Sequence, residues 1–94
     1  MISDFRCSET KKLVEGETSA QFPPDIQQVA RRKLRMIAAA VNLNDLRQPV
    51  GNRLEKLSGN RAGQYSIRIN DQWRICFVWE EGNAAKVEIT KHYE

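Results

Sequence analysis

The sequence predicts an α+β fold, in which a long helix packs on one face of an antiparallel-rich twisted sheet of about four to five strands. Apolar residues recur every three or four positions between Ile26 and Val41, which is the spacing of an amphipathic helix. From Tyr65 onward the apolar period becomes two, which is typical of half-buried strands. Helices followed by a run of strands favour the α+β class. A length of 94 residues suits one domain, and we expect residues 1–94 to form it.

A short strand and a short helix are expected before the long helix. Met1–Arg6 could begin a strand, and Ser8–Glu15 could form a helix with its first serine as the N-cap. The polar segment that follows, up to Phe22, contains a glycine and is expected to be a loop.

The long helix has the clearest start signal in the chain. Asp25 and Gln28, which follow two prolines, have the D-x-x-Q spacing of a capping box. We expect this helix to end near Asn42. Arg31, Arg32 and Arg35 fall largely off its apolar side, so they form either a solvated face or a surface for RNA or an acidic partner.

Three strands are expected to follow a segment broken by Pro49 and Gly51. They are predicted over Tyr65–Ile69, Trp73–Trp79 and Val87–His92, with turns at residues 70–72 and 82–83. The second of these strands is apolar on both faces, so we expect it to lie in the middle of the sheet with both tryptophans in the core.

The basic residues are concentrated in the middle of the chain. The net charge is +3, whereas the segment from Arg47 to Arg74 alone holds six basic and two acidic residues, an excess of +4. Such a segment suits a polyanion such as RNA, through phosphate contacts and counterion release, although a solvated charged surface would have the same composition. We therefore count Arg53, Lys56 and Arg61, with the three helix arginines, as candidate contacts to RNA or the ribosome.

Several other classes of protein are disfavoured. No apolar stretch approaches the roughly 20 residues that span a bilayer, and the N-terminus lacks the apolar region of a signal peptide, so we expect a cytoplasmic protein without a membrane partner. Cys7 and Cys76 are expected to be reduced thiols. One histidine and two distant cysteines give no zinc site, no glycine-rich phosphate loop is present, and no cofactor is expected.

Strand alternation brings unlike polar residues to one face of the predicted sheet. If Ile67 and Ile75 face the helix, Arg68 and Arg74 face the other side, and the same alternation directs His92 there. Immediately before these strands, two leucines that look buried flank an exposed pair, Glu55 and Lys56.

These residue types could cleave RNA without a metal. Glu55 could remove the proton of the 2′-hydroxyl group, Arg68 and Arg74 could stabilise the charge on the phosphate, and His92 could protonate the leaving 5′-oxygen. Tyr93 could stack on a base or donate a hydrogen bond. Each also has an ordinary structural explanation, as a surface ion pair, a solvated arginine or a surface residue near the C-terminus.

The segment over residues 49–77, PVGNRLEKLSGNRAGQYSIRINDQWRICF, strongly resembles HigB toxins of the plasmid maintenance system killer group. The phrases PxGNRLE and GxRAGQYSIRINDQWRICF carry most of the likeness, which extends over nearly the whole chain. The resemblance implies a RelE-like fold and ribosome-dependent cleavage of messenger RNA in the decoding site. It also implies a helix-turn-helix antitoxin that neutralises the toxin and through which the complex binds operator DNA.

The resemblance assigns roles to individual residues. Arg74 in the QWR motif resembles the family's phosphate-contacting arginine, and Arg68 the second arginine of some RelE-fold toxins. Glu55 is similar to the carboxylate that acts as base in YoeB toxins, where other HigB members have a histidine. Ser58 stands where many relatives have lysine, so that cation is absent or supplied by Lys56. The final pair His92-Tyr93 is similar to the end of YoeB toxins, while HigB relatives more often end in Tyr-His.

The same sequence features are compatible with two other functions. A ParE-like toxin has the same fold but inhibits DNA gyrase and lacks the set of arginine, carboxylate and histidine. A catalytically inert RNA-binding module would keep the basic surface without turnover. The presence of Glu55, Arg68, Arg74 and His92 favours the nuclease.

Overall fold

The computed structural model describes residues 1–91 and shows two α-helices followed by a four-stranded sheet. The helices are α1 (Ser8–Val14) and α2 (Pro24–Ala39); the strands are β1 (Glu55–Lys56), β2 (Gln64–Arg68), β3 (Trp73–Glu80) and β4 (Asn83–Lys91). Short 3₁₀ helices lie between them at Leu43–Arg47, Val50–Asn52 and Gly59–Arg61. The predicted α+β class is confirmed. Within the described residues, neither helix is long and apolar enough to cross a membrane.

The sheet is an antiparallel meander in the order β1-β2-β3-β4, and β3 is central as predicted. Strands β3 and β4 are joined by a two-residue loop whose residues, Glu81 and Gly82, both have positive φ angles, 51° and 81°. This is the type I′ geometry, whose twist matches that of the flanking strands. Strand β4 therefore begins at Asn83, four residues before the predicted start, because the tight turn pairs Asn83 directly with Glu80.

The N-terminal segment runs beside β4 without forming a full strand. Ile2 and Phe5 make isolated parallel bridges to Ala84 and Val87. Backbone hydrogen bonds support these bridges, among them one of 3.0 Å in which Arg6 N donates to Val87 O. The expected strand is thus reduced to two bridges on the outer edge of the sheet.

Both helix starts differ from their predicted caps. Helix α1 has Cys7 rather than Ser8 at its N-cap, without a side-chain bond to the helix. Helix α2 has Pro23 at its N-cap, and Asp25 lies in the first turn. The capping box is therefore wrong, because proline's fixed φ already suits the first turn, where an acidic residue still complements the helix dipole.

The end of α2 is also earlier than predicted. The helix stops at Ala39, Val41 is 76% exposed, and Asn42 starts a separate capping box with Asp45. Backbone N–H groups of Val41 and Asn42 donate to the Asp45 carboxylate at 2.8 and 3.1 Å and hold its pKa below the ordinary value. These bonds favour the 3₁₀ helix over another turn of α2.

The core lies between α2 and the face of the sheet that carries the alternating isoleucines. Ile26, Leu34 and Ile37 of α2 are buried against Ile75 and Phe77 of β3. Trp73 and Trp79 were expected in this core but are only partly buried at its margin. Leu54 and Leu57, which were expected to be buried, are also only partly buried. They stand at strand ends or next to the short edge strand, where fewer neighbours cover them.

A β-bulge in β4 determines which of its residues face the core. Cys76 pairs with Glu88 and Val78 pairs with Ala85, so β4 uses one residue more than β3 between these pairs. Lys86 lies at this irregularity with a φ of 52°. The extra residue shifts the alternation by one, since successive side chains point to opposite faces. It leaves Ala85 and Glu88 on the same side of the sheet.

A buried polar contact joins α2 to the segment before the sheet. The Lys33 ammonium group donates a 2.7 Å hydrogen bond to Asn52 Oδ1, and the Asn52 amide donates to the backbone carbonyls of Leu46 and Gln48. Burial lowers the pKa of Lys33, and the nearby charges of Arg32 and Arg68 lower it further. Lys33 lies in the basic run with Arg32 and Arg35, and this contact was not predicted from the sequence.

We expect Asn52→Ala to destabilise the fold by about 2 kcal/mol, because Lys33 then lacks its acceptor in a buried position. Adding Lys33→Met should restore part of this loss, since it removes the stranded ammonium group. Urea unfolding of the wild type, both single variants and the double variant measures the coupling. Strictly additive losses would show that the two side chains do not depend on each other.

Candidate active site

The face of the sheet opposite α2 carries the polar candidates predicted from strand alternation. Cross-strand pairing joins Glu55 to Ser66, Arg68 to Arg74, and Arg74 to Thr90, so these five residues share one face. We call it the open face. It also carries Cys76 and Glu88, which pair with each other.

Arg74 is the most buried charged group of the open face. Its side chain is 9% exposed, and its Nη1 donates to Glu55 Oε1 at 2.5 Å and to the buried Ser66 hydroxyl at 2.8 Å. Both bonds that residues 1–91 make to this guanidinium group therefore go through Nη1. Glu55 is half-exposed at 51%, so the pair joins a fixed cation to a carboxylate that solvent can reach.

Arg68 lies directly across the strands from Arg74 but points its guanidinium group to the turn that follows β2. There Nη2 forms an ion pair with Asp71, a largely exposed carboxylate. Arg53, Arg68 and Arg74 nevertheless line one polar cleft of about 120 Å³, with Asn70 and Asp71 completing its wall. This cleft, which we call the arginine cleft, concentrates three of the predicted cations.

A second, smaller cleft lies on the other side of Arg74. Its volume is about 60 Å³, and we call it the central cleft; its lining is Glu55, Leu57, Arg61, Arg74, Cys76, Thr90 and Lys91. Cys76 is 2% exposed, and burial raises the pKa of its thiol. The charge of Glu88 also raises this pKa, whereas the charges of Arg61 and Arg74 lower it. Both cysteines are free thiols, as expected.

Arg61 is positioned by a carboxylate of the central part of β4. Its Nη1 donates to Glu88 Oε2 and to Gln64 Oε1, each at 3.0 Å. Sequence reasoning identified Arg61 only as one of several basic residues and did not assign a role to Ser66 or Glu88. Strand parity with Arg68 and Thr90 was the available signal for both.

The remaining basic candidates lie away from the open face. Lys56 is exposed and pairs with Tyr65. Because it follows Glu55 directly in β1, it lies on the opposite face of the sheet. Arg32 and Arg35 are exposed on α2, beyond the core. Arg31 instead binds the end of α1 and the following loop, since its guanidinium group donates to the carbonyls of Leu13 and Glu17 at 2.9 and 3.0 Å.

A family model for RelE-like toxins of the type II toxin–antitoxin system HigB matches residues 3–92. The chain belongs to this HigB-like toxin family. It is 43% identical over 93 residues to Toxin HigB-1 of Vibrio cholerae, covering 98% of each chain. It is 33% identical over 85 residues to Endoribonuclease HigB of Proteus vulgaris, covering 89% of this chain and 90% of that one.

The fold of this HigB-like toxin also matches a solved structure. A chain of the YoeB-YefM complex from Staphylococcus aureus superposes with a TM-score of 0.61 over 99% of both chains at 20% identity. At that identity the likeness establishes the fold alone. It agrees with the α+β, RelE-like architecture expected from the sequence.

Two predicted site residues of this HigB-like toxin, His92 and Tyr93, lie outside the described residues. Strand β4 is described up to Lys91, whose ammonium group lies 5.7 Å from the centre of the Trp73 ring. Within residues 1–91, no group of three or more His, Cys, Asp or Glu side chains is placed to hold a metal ion. The described part of the open face carries arginines, carboxylates, hydroxyl groups and a thiol.

Proposed function

We propose that this HigB-like toxin is a metal-independent endoribonuclease that cleaves messenger RNA in the A site of the ribosome and so inhibits translation. The observation that carries the proposal is the contact between Arg74 and the half-exposed carboxylate of Glu55 on the open face. Membership of a toxin family supports it, as does the likeness to a relative described as Endoribonuclease HigB.

Glu55 is the proposed general base. It takes the proton of the 2′-hydroxyl group, whose oxygen then attacks the adjacent phosphorus atom while the bond to the 5′-oxygen breaks. The products of this step are a 2′,3′-cyclic phosphate and a free 5′-hydroxyl group. The 51% exposure of the Glu55 side chain supports this role, because a bound ribose can reach its oxygens.

Arg74 and Arg68 are the proposed cations for the phosphate. A guanidinium group holds two oxygens at once and stabilises the charge that develops on them in the transition state. Arg74 is held by Glu55 and Ser66 before any substrate arrives, and such preorganisation lowers the cost of stabilising that charge. Arg53 adds a third positive charge to the arginine cleft.

His92 is the proposed general acid, which protonates the departing 5′-oxygen, and Tyr93 stacks on a base or donates a hydrogen bond. These two roles rest on the sequence. An imidazole has an unperturbed pKa of about 6.5 and transfers protons readily near neutrality.

The ribosome is the proposed source of the positioned message. The arginine and central clefts measure about 120 and 60 Å³, below the range of roughly 300–1,000 Å³ that encloses a small ligand. We propose that Arg53 and Arg61, which line the clefts, contact RNA there. Lys56 is proposed to contact RNA or the ribosome from the other side of β1, and Arg31, Arg32 and Arg35 form a second basic surface. Arg31 already binds two carbonyls, so its exposed helix neighbours carry most of that surface.

A helix-turn-helix antitoxin is the proposed partner that neutralises the protein and links it to operator DNA. The YoeB-YefM pair from Staphylococcus aureus, described as a heterotetrameric toxin-antitoxin complex, supports an antitoxin for this chain as well. We propose that the toxin acts in the cytoplasm, where ribosomes translate messenger RNA.

A translation extract with one defined message tests the function. We expect discrete cuts at the codon in the A site, with a 5′-hydroxyl end on the downstream fragment, and no cuts in naked message. Intact message in an arrested extract would contradict the nuclease. Normal translation together with impaired DNA supercoiling would support gyrase inhibition instead.

Arg74→Ala should abolish growth inhibition and reduce cleavage on the order of 10²–10³-fold, because the phosphate loses its preorganised donor. Antitoxin binding should remain. Lys11→Ala, an exposed change on α1, is the matched control, and Arg74→Lys tests whether charge alone suffices. A folded Arg74→Ala variant with full toxicity would contradict the site.

His92→Gln should slow cleavage on the order of 10²-fold while the cut positions stay the same, since it removes the proton donor. Single-turnover rates on programmed ribosomes measure this effect across pH 5.5–8, the range around an unperturbed imidazole pKa. If Tyr93→Phe alone has such an effect, the acid role belongs elsewhere.

A further inference from the structure

A third cleft opens next to the central cleft, on the side away from the arginine cleft. Its volume is about 540 Å³, and it is lined by Arg6, Leu57, Ser58, Asn60 and Arg61. Leu57 and Arg61 also line the central cleft, so the two are contiguous. We call it the flanking cleft. None of the catalytic roles assigned above uses Arg6, Ser58 or Asn60.

The central cleft and the flanking cleft differ in the size of the chemical group that each can accept. The central cleft, at about 60 Å³, is far below the roughly 300–1,000 Å³ of sites that enclose a small molecule. A phosphate group can enter there, whereas a nucleoside cannot. The flanking cleft, at about 540 Å³, lies within the range of small-molecule sites. A strand whose phosphate occupies the central cleft must place the attached nucleosides outside it.

The charge of the flanking cleft also suits a nucleotide. Glu88 Oε2 accepts from Arg61 Nη1 at 3.0 Å and faces Arg6 Nη1 at 3.4 Å. One carboxylate thus holds two guanidinium groups, one from the N-terminal segment and one from the 3₁₀ helix before β2. The three groups together keep a net charge of +1. The Arg6 side chain is 50% exposed, so it can turn one edge to an incoming anion.

We propose that the flanking cleft is a second nucleotide subsite, which binds the ribonucleotide next to the cleaved phosphodiester. This inference rests on the proposed function, because it extends the same substrate by one residue. Arg6 holds the phosphate of that nucleotide, since guanidinium donors match phosphate oxygens. The site is thus assembled from the N-terminal segment and the 3₁₀ turn that precedes β2.

The three residues of the flanking cleft that are not arginines, Leu57, Ser58 and Asn60, supply contacts to the nucleoside. Asn60 offers both a donor and an acceptor to the edge of a base, and the Ser58 hydroxyl group can bond the ribose 2′-hydroxyl group. Leu57 gives an apolar surface at the border of the two clefts, where a base can lie. Because an amide distinguishes the edges of different bases, Asn60 is the residue in this subsite that would influence which codons are cut.

The test is single-turnover cleavage on ribosomes programmed with a defined message, using the full chain released from its antitoxin. Arg6→Gln should raise the protein concentration needed for half-maximal rate roughly tenfold and leave the maximal rate within about twofold, since it removes a charged hydrogen bond to substrate. Arg6→Lys should recover most of the loss. Asn60→Ala should change the relative use of cut sites along the message.

Lys11→Gln is the matched control, because it removes one positive charge from an exposed residue that lines neither cleft. If the wild type cleaves and Arg6→Gln behaves like this control, the subsite is wrong while the proposed function stands. If Arg6→Gln instead weakens only antitoxin binding, the cleft serves a protein and the inference fails. A wild type that cuts no message would overturn the proposed function itself.

Discussion

The buried guanidinium group of Arg74 is the constraint on which the open face depends. A cation with a side chain only 9% exposed has lost most of its water, and such a group is stable only with partners in good geometry. Glu55 and Ser66 provide them, and they are also paired across β1 and β2. A strand of two residues is too short to be held by its backbone alone. The ion pair therefore fixes the carboxylate and the cation of the proposed reaction together.

The bulge in β4 allows the fourth strand to contribute residues to the open face as well. In a regular strand, Ala85, Val87 and Ile89 would lie on the same face of β4. Val87 and Ile89 are buried in the core, so Glu88 and Ala85 would then lie on opposite faces. The extra residue at Lys86 instead leaves Glu88 and Thr90 on the open face, where Glu88 orients Arg61 and Thr90 lines the central cleft. The bulge at Lys86 thus allows β4 to place some residues in the core and others on the polar open face.

Alternation in the sequence was sufficient to predict the central strand, the helix and the sharing of one face by Arg68 and Arg74. A period-two pattern of apolar residues predicts which residues share a face, because each face of a sheet lies either against the core or towards solvent. Contacts that depend on loop geometry were not predictable in this way. Lys33 stands in a basic run, yet the approach of Asn52 buries it, and the proline pair moved the helix start away from Asp25. The roles of His92 and Tyr93 remain predictions from the sequence.

Three arginines that line the clefts of the open face are already matched with carboxylates of the protein. Arg74 holds Glu55, Arg68 holds Asp71, and Arg61 shares Glu88 with Arg6. A phosphate must therefore compete with an anion already in place, which weakens the attraction of free RNA even though the chain has a net charge of +3. Under the proposed function, the ribosome offsets this competition by holding the message at the face, since a substrate already localised loses less entropy on binding. The same pairing leaves Glu55 beside the phosphate once Arg74 turns its other donors to it.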